Sequence, residues 1–120
     1  MKVGFDLDGT LDRPEIARLA NMYYDAGIEV HVITVVQLGQ TGYITTRKAK
    51  MDKLTLLGVR YTKLHLVRGQ TYNECGIAKA DVINAEGIVL MIDDAPSFVK
   101  MIVKHAPGCL VLEVQPDEGA

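Results

Sequence analysis

The sequence predicts an α/β fold, a three-layer sandwich with helices on both faces of a five-stranded parallel sheet. Two observations carry this prediction. Short runs rich in Val, Ile and Leu alternate with segments of helical period, and continuous apolar runs are typical of strands buried on both faces of a parallel sheet. The chain has 120 residues, 48% of them hydrophobic, which suffices for one core. We therefore expect one domain over residues 1–114 and a flexible tail over 115–120.

Each predicted strand is a short apolar run that ends at polar or turn-forming residues. Strands that follow one another with a helix between them join by right-handed crossovers into a doubly wound sheet. The five runs are Val3–Leu7, Ile28–Val35, Leu64–Val67, Ile88–Ile92 and Cys109–Val114.

Four helices are predicted between the strands. Proline in the first turn and glycine after the last turn are typical helix boundaries, and both occur in this chain. The helices run from Pro14 to Gly27, from the cap Thr45 or Thr46 to Gly58, from about Ile77 to Glu86, and from Asp94 and Pro96 to about His105.

Two carboxylates follow the first strand at once. Asp6 and Asp8 are two residues apart, and side chains at that spacing on a strand point to the same face. They repel each other unless a cation lies between them or one of them holds a proton. The pattern therefore indicates a metal ion, an acid–base role or an exposed turn.

Further polar side chains mark the same edge of the predicted sheet. Thr34 lies in the second strand near its end, Asp93 and Asp94 follow the fourth, and Lys79 opens the third helix. Each alone has an ordinary explanation, as a strand-forming threonine, a helix cap or a solvated lysine. Ligands of such sheets bind outside the carboxyl ends of the strands. The convergence of these groups therefore indicates a functional site.

The segment Asp6-Leu7-Asp8-Gly9-Thr10-Leu11 resembles the first motif of the haloacid dehalogenase (HAD) superfamily of phosphohydrolases. Thr34, Lys79 and the pair Asp93-Asp94 match its second, third and fourth motifs in order. A response-regulator receiver also combines acids with Thr and Lys, but its lysine comes last, whereas here Lys79 precedes Asp93. The resemblance implies a Rossmann-like sheet of HAD type without a cap domain.

The resemblance implies a Mg²⁺-dependent phosphatase, a phosphoric monoester hydrolase that works through an aspartyl-phosphate. A carboxylate attacks a phosphate monoester only where cations neutralise the charge at phosphorus. Asp6 is then expected to be the nucleophile and Asp8 the general acid and base. Thr34 would donate a hydrogen bond to the phosphoryl group, and Lys79 would offset its charge.

The same resemblance implies a set of magnesium ligands. Mg²⁺ prefers oxygen ligands and is typically held by one or two carboxylates together with a substrate phosphate. The implied ligands are Asp6, the backbone carbonyl of Asp8, Asp93 and, directly or through water, Asp94.

Charge distribution bears on the substrate. Residues 47–68 contain seven basic residues and one acid, a net charge of +6 in a chain whose total is −2. Such a basic segment is either a solvated helix face or a surface that attracts a nucleotide or a nucleic-acid end. The second half also resembles the phosphatase domain of polynucleotide kinase-phosphatases, through Leu66-Val67-Arg68, Lys79 and Ile92-Asp93-Asp94. The candidate substrate-binding residues are Gly9, Thr10, Arg47 and Arg68.

The predicted site is open. Few residues separate Asp8 from the first helix, and no segment is long enough for a cap domain. An open site admits a large substrate or is closed by a second copy of the chain, and residues 35–43 are the only candidate lid. Other functions also fit the residues: a phosphate-binding module of this fold without catalysis, a phosphatase of a small sugar phosphate, and phosphotransfer to an acceptor other than water.

Several classes of protein are not expected. No segment resembles a signal peptide, and no apolar run approaches the roughly 20 residues of a membrane span, so a cytoplasmic protein without a membrane partner is predicted. Cys75 and Cys109 have no metal-type spacing, which argues against a disulfide or zinc scaffold. The three histidines are expected to be isolated residues of the core or surface.

Overall fold

The computed structural model describes residues 1–115, which form a six-stranded sheet between two layers of helices. The coarse prediction of a three-layer α/β fold with a mostly parallel sheet is confirmed. Residues 116–120 of the predicted tail lie outside the described residues. The strands are β1 Lys2–Phe5, β2 Glu29–Leu38, β3 Tyr43–Ile44, β4 Lys63–Gly69, β5 Leu90–Asp93 and β6 Leu110–Glu113.

No helix within residues 1–115 combines the length and the apolar composition needed to cross a membrane. The helices lie close to their predicted positions, with one exception. The helices are α1 Pro14–Asp25, α2 Arg47–Leu57, α3 Tyr72–Glu86 and α4 Pro96–His105.

The exception is α3, which begins at Tyr72 rather than near Ile77. Thr71 caps it, since its side-chain oxygen accepts a hydrogen bond from the Glu74 backbone N–H at 3.1 Å. Gly76 lies inside the helix, where a Cβ would approach Met101 of α4 to 2.8 Å. Glycine here therefore allows α3 and α4 to pack closely, and it obscures the apolar period from which the helix start was predicted.

Five of the six strands are parallel, in the spatial order β4-β2-β1-β5-β6. The order reverses at β1, because the chain moves outward to β2 and β4 on one side and to β5 and β6 on the other. Ligand sites of doubly wound sheets form at this reversal, outside the carboxyl ends of the strands. The residues that follow Phe5 and those that end β5 therefore meet.

The sixth strand was not predicted, and the five-stranded expectation was wrong in this respect. β3 pairs antiparallel with the end of β2 through Gln37–Ile44 and Leu38–Tyr43. The same two β2 residues pair with β4 on the other side, so β3 lies beyond the end of β1. Residues 35–43, the candidate lid, are the end of β2 and a turn at Gly39, where φ is +76°. A two-residue return strand is too short to give a periodic signal.

The two faces of the sheet bury separate apolar clusters. One cluster includes Phe5, Val32 and Leu54, with α1 and α2 covering it. The other includes Ile33 and Ile102, beneath α3 and α4. Each fully buried side chain of this size contributes roughly 1.5–3 kcal/mol. These clusters hold the strand ends, and hence the polar groups beyond them, in fixed positions.

Candidate functional site

The loop after β1 turns sharply at Gly9 and returns to the edge of the sheet. Gly9 has φ +83°, a conformation that L side chains rarely adopt. A Cβ on this residue would also overlap the carboxylate of Asp94. Leu7 and Leu11, both fully buried, anchor the two ends of the loop. Gly9 therefore permits the close approach of Asp94, the residue that follows β5.

Three carboxylates meet at the reversal of strand order. Asp6 follows β1, Asp93 ends β5, and Asp94 comes next. One oxygen from each lies within 4.8 Å of the others. Asp6 is 5% exposed and Asp93 is fully buried. The structure thus brings together three of the predicted metal ligands.

A buried ammonium lies between two of these carboxylates. Lys79 of α3 is fully buried, and its Nζ donates to Asp6 Oδ1 and to Asp93 Oδ2, each at 2.8 Å. Burial lowers the pKa of Lys79, but Asp6 and Asp93 outweigh it and hold the pKa above its ordinary value. The ammonium is therefore charged, as the sequence predicts for this position.

The group retains an excess of negative charge, because three carboxylates surround one ammonium. Burial raises the pKa of Asp6 well above its usual range; Lys79 opposes this effect and Asp93 adds to it. The hydroxyl of Thr10, fully buried, lies 3.2 Å from Asp94 Oδ1 and 3.4 Å from Asp6 Oδ2. Thr10 therefore orients the carboxylates from within the loop, and an added cation would neutralise the excess charge.

Thr34 supplies an unpaired donor next to this group. Its side chain is 1% exposed, and its hydroxyl oxygen has no hydrogen-bond partner within residues 1–115. Leaving a buried hydroxyl unpaired costs roughly 1–3 kcal/mol. Thr34 lines a cavity of about 330 Å³ together with Asp6, Asp8 and Asp94. We call this the acidic cavity.

The opposite wall of the acidic cavity is apolar. The rings of Tyr72 and Phe98 lie 5.9 Å apart in a tilted arrangement, and the extended α3 puts Tyr72 at this wall. A ligand here meets charge at one end and apolar surface at the other. The apolar and aromatic residues of the wall are Val35, Leu38, Tyr43, Tyr72, Ala95 and Phe98.

Asp8 is paired with two lysines and does not belong to the group of three carboxylates. Its Oδ1 accepts a hydrogen bond from Lys53 Nζ at 2.6 Å, and its Oδ2 accepts one from Lys50 Nζ. Burial raises the pKa of Asp8, but the hydrogen bonds from these two lysines outweigh it and hold the pKa below its ordinary value. The side chain is therefore held ionised, on the rim of the acidic cavity.

The basic segment does not form a continuous surface. Five of its seven basic side chains form ion pairs within the described chain. The pairs are Lys48–Asp52, Lys50–Asp8, Lys53–Asp8 and Asp12, Arg60–Asp25, and Lys63–Glu86. The other two, Arg47 and Arg68, line a second cavity that shares no lining residue with the acidic cavity.

A histidine pair was missed, because the histidines were expected to be isolated. Ile33 is the register partner of His65 on β4, so His31 and His65 share one face of the sheet. His31 Nδ1 lies 2.9 Å from His65 Nε2, with ring planes 6° apart and ring centroids separated by 5.2 Å. The two nitrogens are within hydrogen-bond distance, and the tautomers of the two rings decide which nitrogen donates.

Comparison with known proteins shows the fold. No family model matches the chain, and no curated protein is similar to it. A solved structure, described as that of a protein from the universal stress protein family from Burkholderia pseudomallei, matches with a TM-score of 0.57 and 17% identity. The match covers 94% of this chain and 94% of that chain. At this identity the similarity shows the α/β architecture alone.

The comparison overturns the identification as an HAD phosphatase. A solved structure that shares the fold is described as one from the universal stress protein family, and no family model supports the HAD resemblance. The expectations of a phosphoric monoester hydrolase, of an aspartyl-phosphate and of a polynucleotide kinase-phosphatase relative are therefore wrong.

The local geometry supplies a physical reason for this correction. A general acid must hold a proton in the working protein, and Lys50 and Lys53 keep Asp8 ionised. The short motif specifies a tight acidic loop at the reversal of strand order. A protein can contain this loop without hydrolysing a phosphate ester.

Proposed function

We propose that the chain binds a phosphate-bearing small molecule together with Mg²⁺ in the acidic cavity and holds it without hydrolysis. The observation that carries the proposal is the Thr34 hydroxyl, which is buried and has no hydrogen-bond partner within residues 1–115, at the wall of a cavity that three carboxylates also line. Buried polar groups are nearly always hydrogen-bonded. A ligand oxygen at this position would complete the pairing of Thr34.

The cation would be held by Asp6, Asp93 and Asp94. Hard oxygen ligands in a small group suit Mg²⁺, which usually keeps several waters and takes its remaining ligands from a phosphate. The group has an excess of negative charge even with Lys79 present. A divalent cation would therefore lower the electrostatic energy of the free site and create a place for an anion.

The phosphate would be held by Thr34, Lys79 and the cation. An ammonium has three N–H donors, and Lys79 directs one to Asp6 and one to Asp93. The third has no acceptor within residues 1–115, and it would donate to a phosphate oxygen that enters past Phe98, whose ring centroid lies 4.6 Å from Nζ. Charge-assisted hydrogen bonds of this kind are roughly twice as strong as neutral ones, so the anion would bind at the inner end of the cavity.

The remainder of the ligand would lie against the apolar wall. A cavity of about 330 Å³ is at the small end of the range for small-molecule sites. Tyr43 and Tyr72 are 45% and 58% exposed, so their rings can cover the outer part of a bound molecule. This geometry favours a compact phosphate ester with an apolar or aromatic body. A nucleic-acid end, a homo-oligomer and a cytoplasmic location remain predictions.

Calorimetric titration tests the proposal, with Mg²⁺ first and phenylphosphonate, which cannot be hydrolysed as an ester, second. We expect Mg²⁺ to bind alone and phenylphosphonate to bind only when Mg²⁺ is present. Absence of Mg²⁺ binding, or phosphonate binding that is equal with and without Mg²⁺, would overturn the proposal.

Two variants separate the two parts of the site. Asp93→Asn should weaken Mg²⁺ binding, whereas the matched control Asp52→Asn, on the surface and paired with Lys48, should leave it unchanged. Thr34→Val keeps the side-chain shape and removes the unpaired hydroxyl. It should leave Mg²⁺ binding intact and weaken phosphonate binding about tenfold, the value of one hydrogen bond to a charged group. Unchanged phosphonate affinity in Thr34→Val would show that this hydroxyl contacts no ligand.

A further inference from the structure

The second cavity lies along the free edge of the sheet. It has a volume of about 660 Å³ and is bounded by the segment before α2, by β4 and by Val82 of α3. Within residues 1–115, β4 pairs only with β2, so its outer edge opens onto this space. Two of the three arginines of the basic segment reach the cavity from two elements, Arg47 from α2 and Arg68 from β4. We call it the arginine cavity.

The two arginines differ from the rest of the basic segment in having no acidic partner. The segment's other five basic side chains are neutralised by carboxylates. Neither guanidinium of Arg47 and Arg68 forms an ion pair or a side-chain hydrogen bond with any residue of the described chain, 1–115. Both side chains are exposed to solvent, and their two unneutralised charges give the cavity a positive potential that attracts an anion.

The position of Arg47 adds a second argument. It is the first residue of α2, whose first turn contains no acidic residue. The amino end of a helix carries a partial positive charge, so a cation there destabilises the helix and an anion stabilises it. Arg47 is therefore unfavourable for the helix by itself, and it becomes favourable when an anion occupies the space beside it.

The groups that line the arginine cavity suit a phosphate. A guanidinium presents five N–H donors in a planar fork that fits two phosphate oxygens. Thr45 and Thr46 add hydroxyl groups at the same wall. The Thr46 oxygen accepts a hydrogen bond from the Ala49 backbone N–H, which leaves its own O–H free to donate. Donors thus predominate, and the lining contains no carboxylate.

We propose that the arginine cavity is a second phosphate site, in which Arg47 and Arg68 bind a phosphate group without a metal ion. It is separate from the acidic cavity, and its occupancy does not depend on the proposed function. The phosphate could belong to a small phosphorylated molecule or to the backbone of a single-stranded nucleic acid, since both present the same oxygens to the two guanidiniums.

Pyrophosphate is the probe, titrated into the protein in the presence of EDTA and followed by nuclear magnetic resonance. We expect the amide signals of residues 45–47 and 68 to shift, while those around Asp6 and Asp93 stay in place. Arg47→Gln and Arg68→Gln should each weaken binding about tenfold or more, because each removes a hydrogen-bonded charge. Arg18→Gln is the matched control, since it removes the same charge from an exposed position on α1 outside the cavity.

The outcomes are distinct. Weakening in both cavity variants but not in Arg18→Gln supports the site. Equal weakening in all three variants would show a general effect of net charge and would overturn it, as would unchanged affinity in both cavity variants. A short oligothymidylate supplies the second arm. Binding tighter than that of pyrophosphate and steeply salt-dependent assigns the phosphate to nucleic acid, and weaker binding assigns it to a small molecule. Failure of phenylphosphonate in the acidic cavity would leave these results unaffected.

Discussion

The two cavities use opposite arrangements of charge. In the acidic cavity a buried lysine is paired with two carboxylates and a third carboxylate remains. In the arginine cavity two guanidiniums face the same space with no carboxylate. The first arrangement favours a cation and, through it, an anion; the second favours an anion directly. The difference shows that the charge of a segment predicts little until the partners of each side chain are known.

Of the changes in and around the two cavities, removal of the buried Lys79 ammonium should have the largest effect on the free energy of unfolding. Lys79→Met leaves Asp6 and Asp93 buried without their partner, and breaking a buried ion pair costs roughly 3–5 kcal/mol. Urea denaturation measures the loss in the free energy of unfolding. Lys53→Met removes a partly exposed lysine that pairs with Asp8 and Asp12, and it should cost less than about 1 kcal/mol. Equal losses in the two variants would contradict the difference in burial on which the comparison rests.

The loop glycine gives a smaller effect with a close control. Gly9 and Gly27 both have φ +83°, so alanine at either position has the same backbone strain, roughly 1–2 kcal/mol. A Cβ at Gly27 meets nothing within 4 Å, whereas one at Gly9 would overlap Asp94. Gly9→Ala should therefore destabilise the protein more than Gly27→Ala does, and it alone should weaken Mg²⁺ binding. Equal free energies of unfolding would show that the contact with Asp94 is unimportant.

The smallest effect concerns His65, which lines the arginine cavity. Burial lowers the pKa of His65 below its usual value; His31, Lys63 and Arg47 add to this effect and Glu86 opposes it. As the pH falls below about 6.5 the unfolded chain takes up this proton first. The folded state is therefore progressively destabilised until the pH reaches the lower pKa of the folded state.

Proton resonance of the His65 ring follows this titration directly. The midpoint should lie below that of an exposed histidine and should rise when pyrophosphate occupies the cavity, because the anion favours the charged ring. His65→Gln should reduce the loss of stability over the same pH range. A midpoint at the usual value, unaffected by pyrophosphate, would place His65 outside the influence of the arginines.

Much of the fold follows from the sequence because its signals are local. Apolar runs, Pro96 in the first turn of α4 and Gly58 after α2 fix strands and helix ends by short-range chemistry. The start of α3 was not predicted correctly. Gly76 lies inside this helix, where it allows close packing against Met101, and it does not mark a helix boundary. The antiparallel β3 did not follow either, since two residues carry no period.

The sequence predicts the site residues whose positions depend on the strand ends. It does not predict the side-chain orientations that depend on ion-pair partners from other elements. Asp6, Asp93 and Lys79 converge because a parallel sheet brings its carboxyl ends together. The orientation of Asp8 toward Lys50 and Lys53 depends on how α2 crosses the sheet, which the spacing of two aspartates does not encode. The sequence also does not encode which basic residues of the segment form ion pairs and which, like Arg47 and Arg68, form none within residues 1–115.

A two-step titration of the labelled protein, followed at each backbone amide, tests directly whether only one of the two sites depends on a metal ion. Phosphate is added first in EDTA and then with excess Mg²⁺. Phosphate alone should shift the signals of residues 45–47 and 68, and Mg²⁺ should then allow it to shift those of residues 6–10, 34 and 93–95. Phosphate-induced shifts around Asp6 without Mg²⁺, or none there in either step, would contradict the division between a metal-dependent and a metal-independent site.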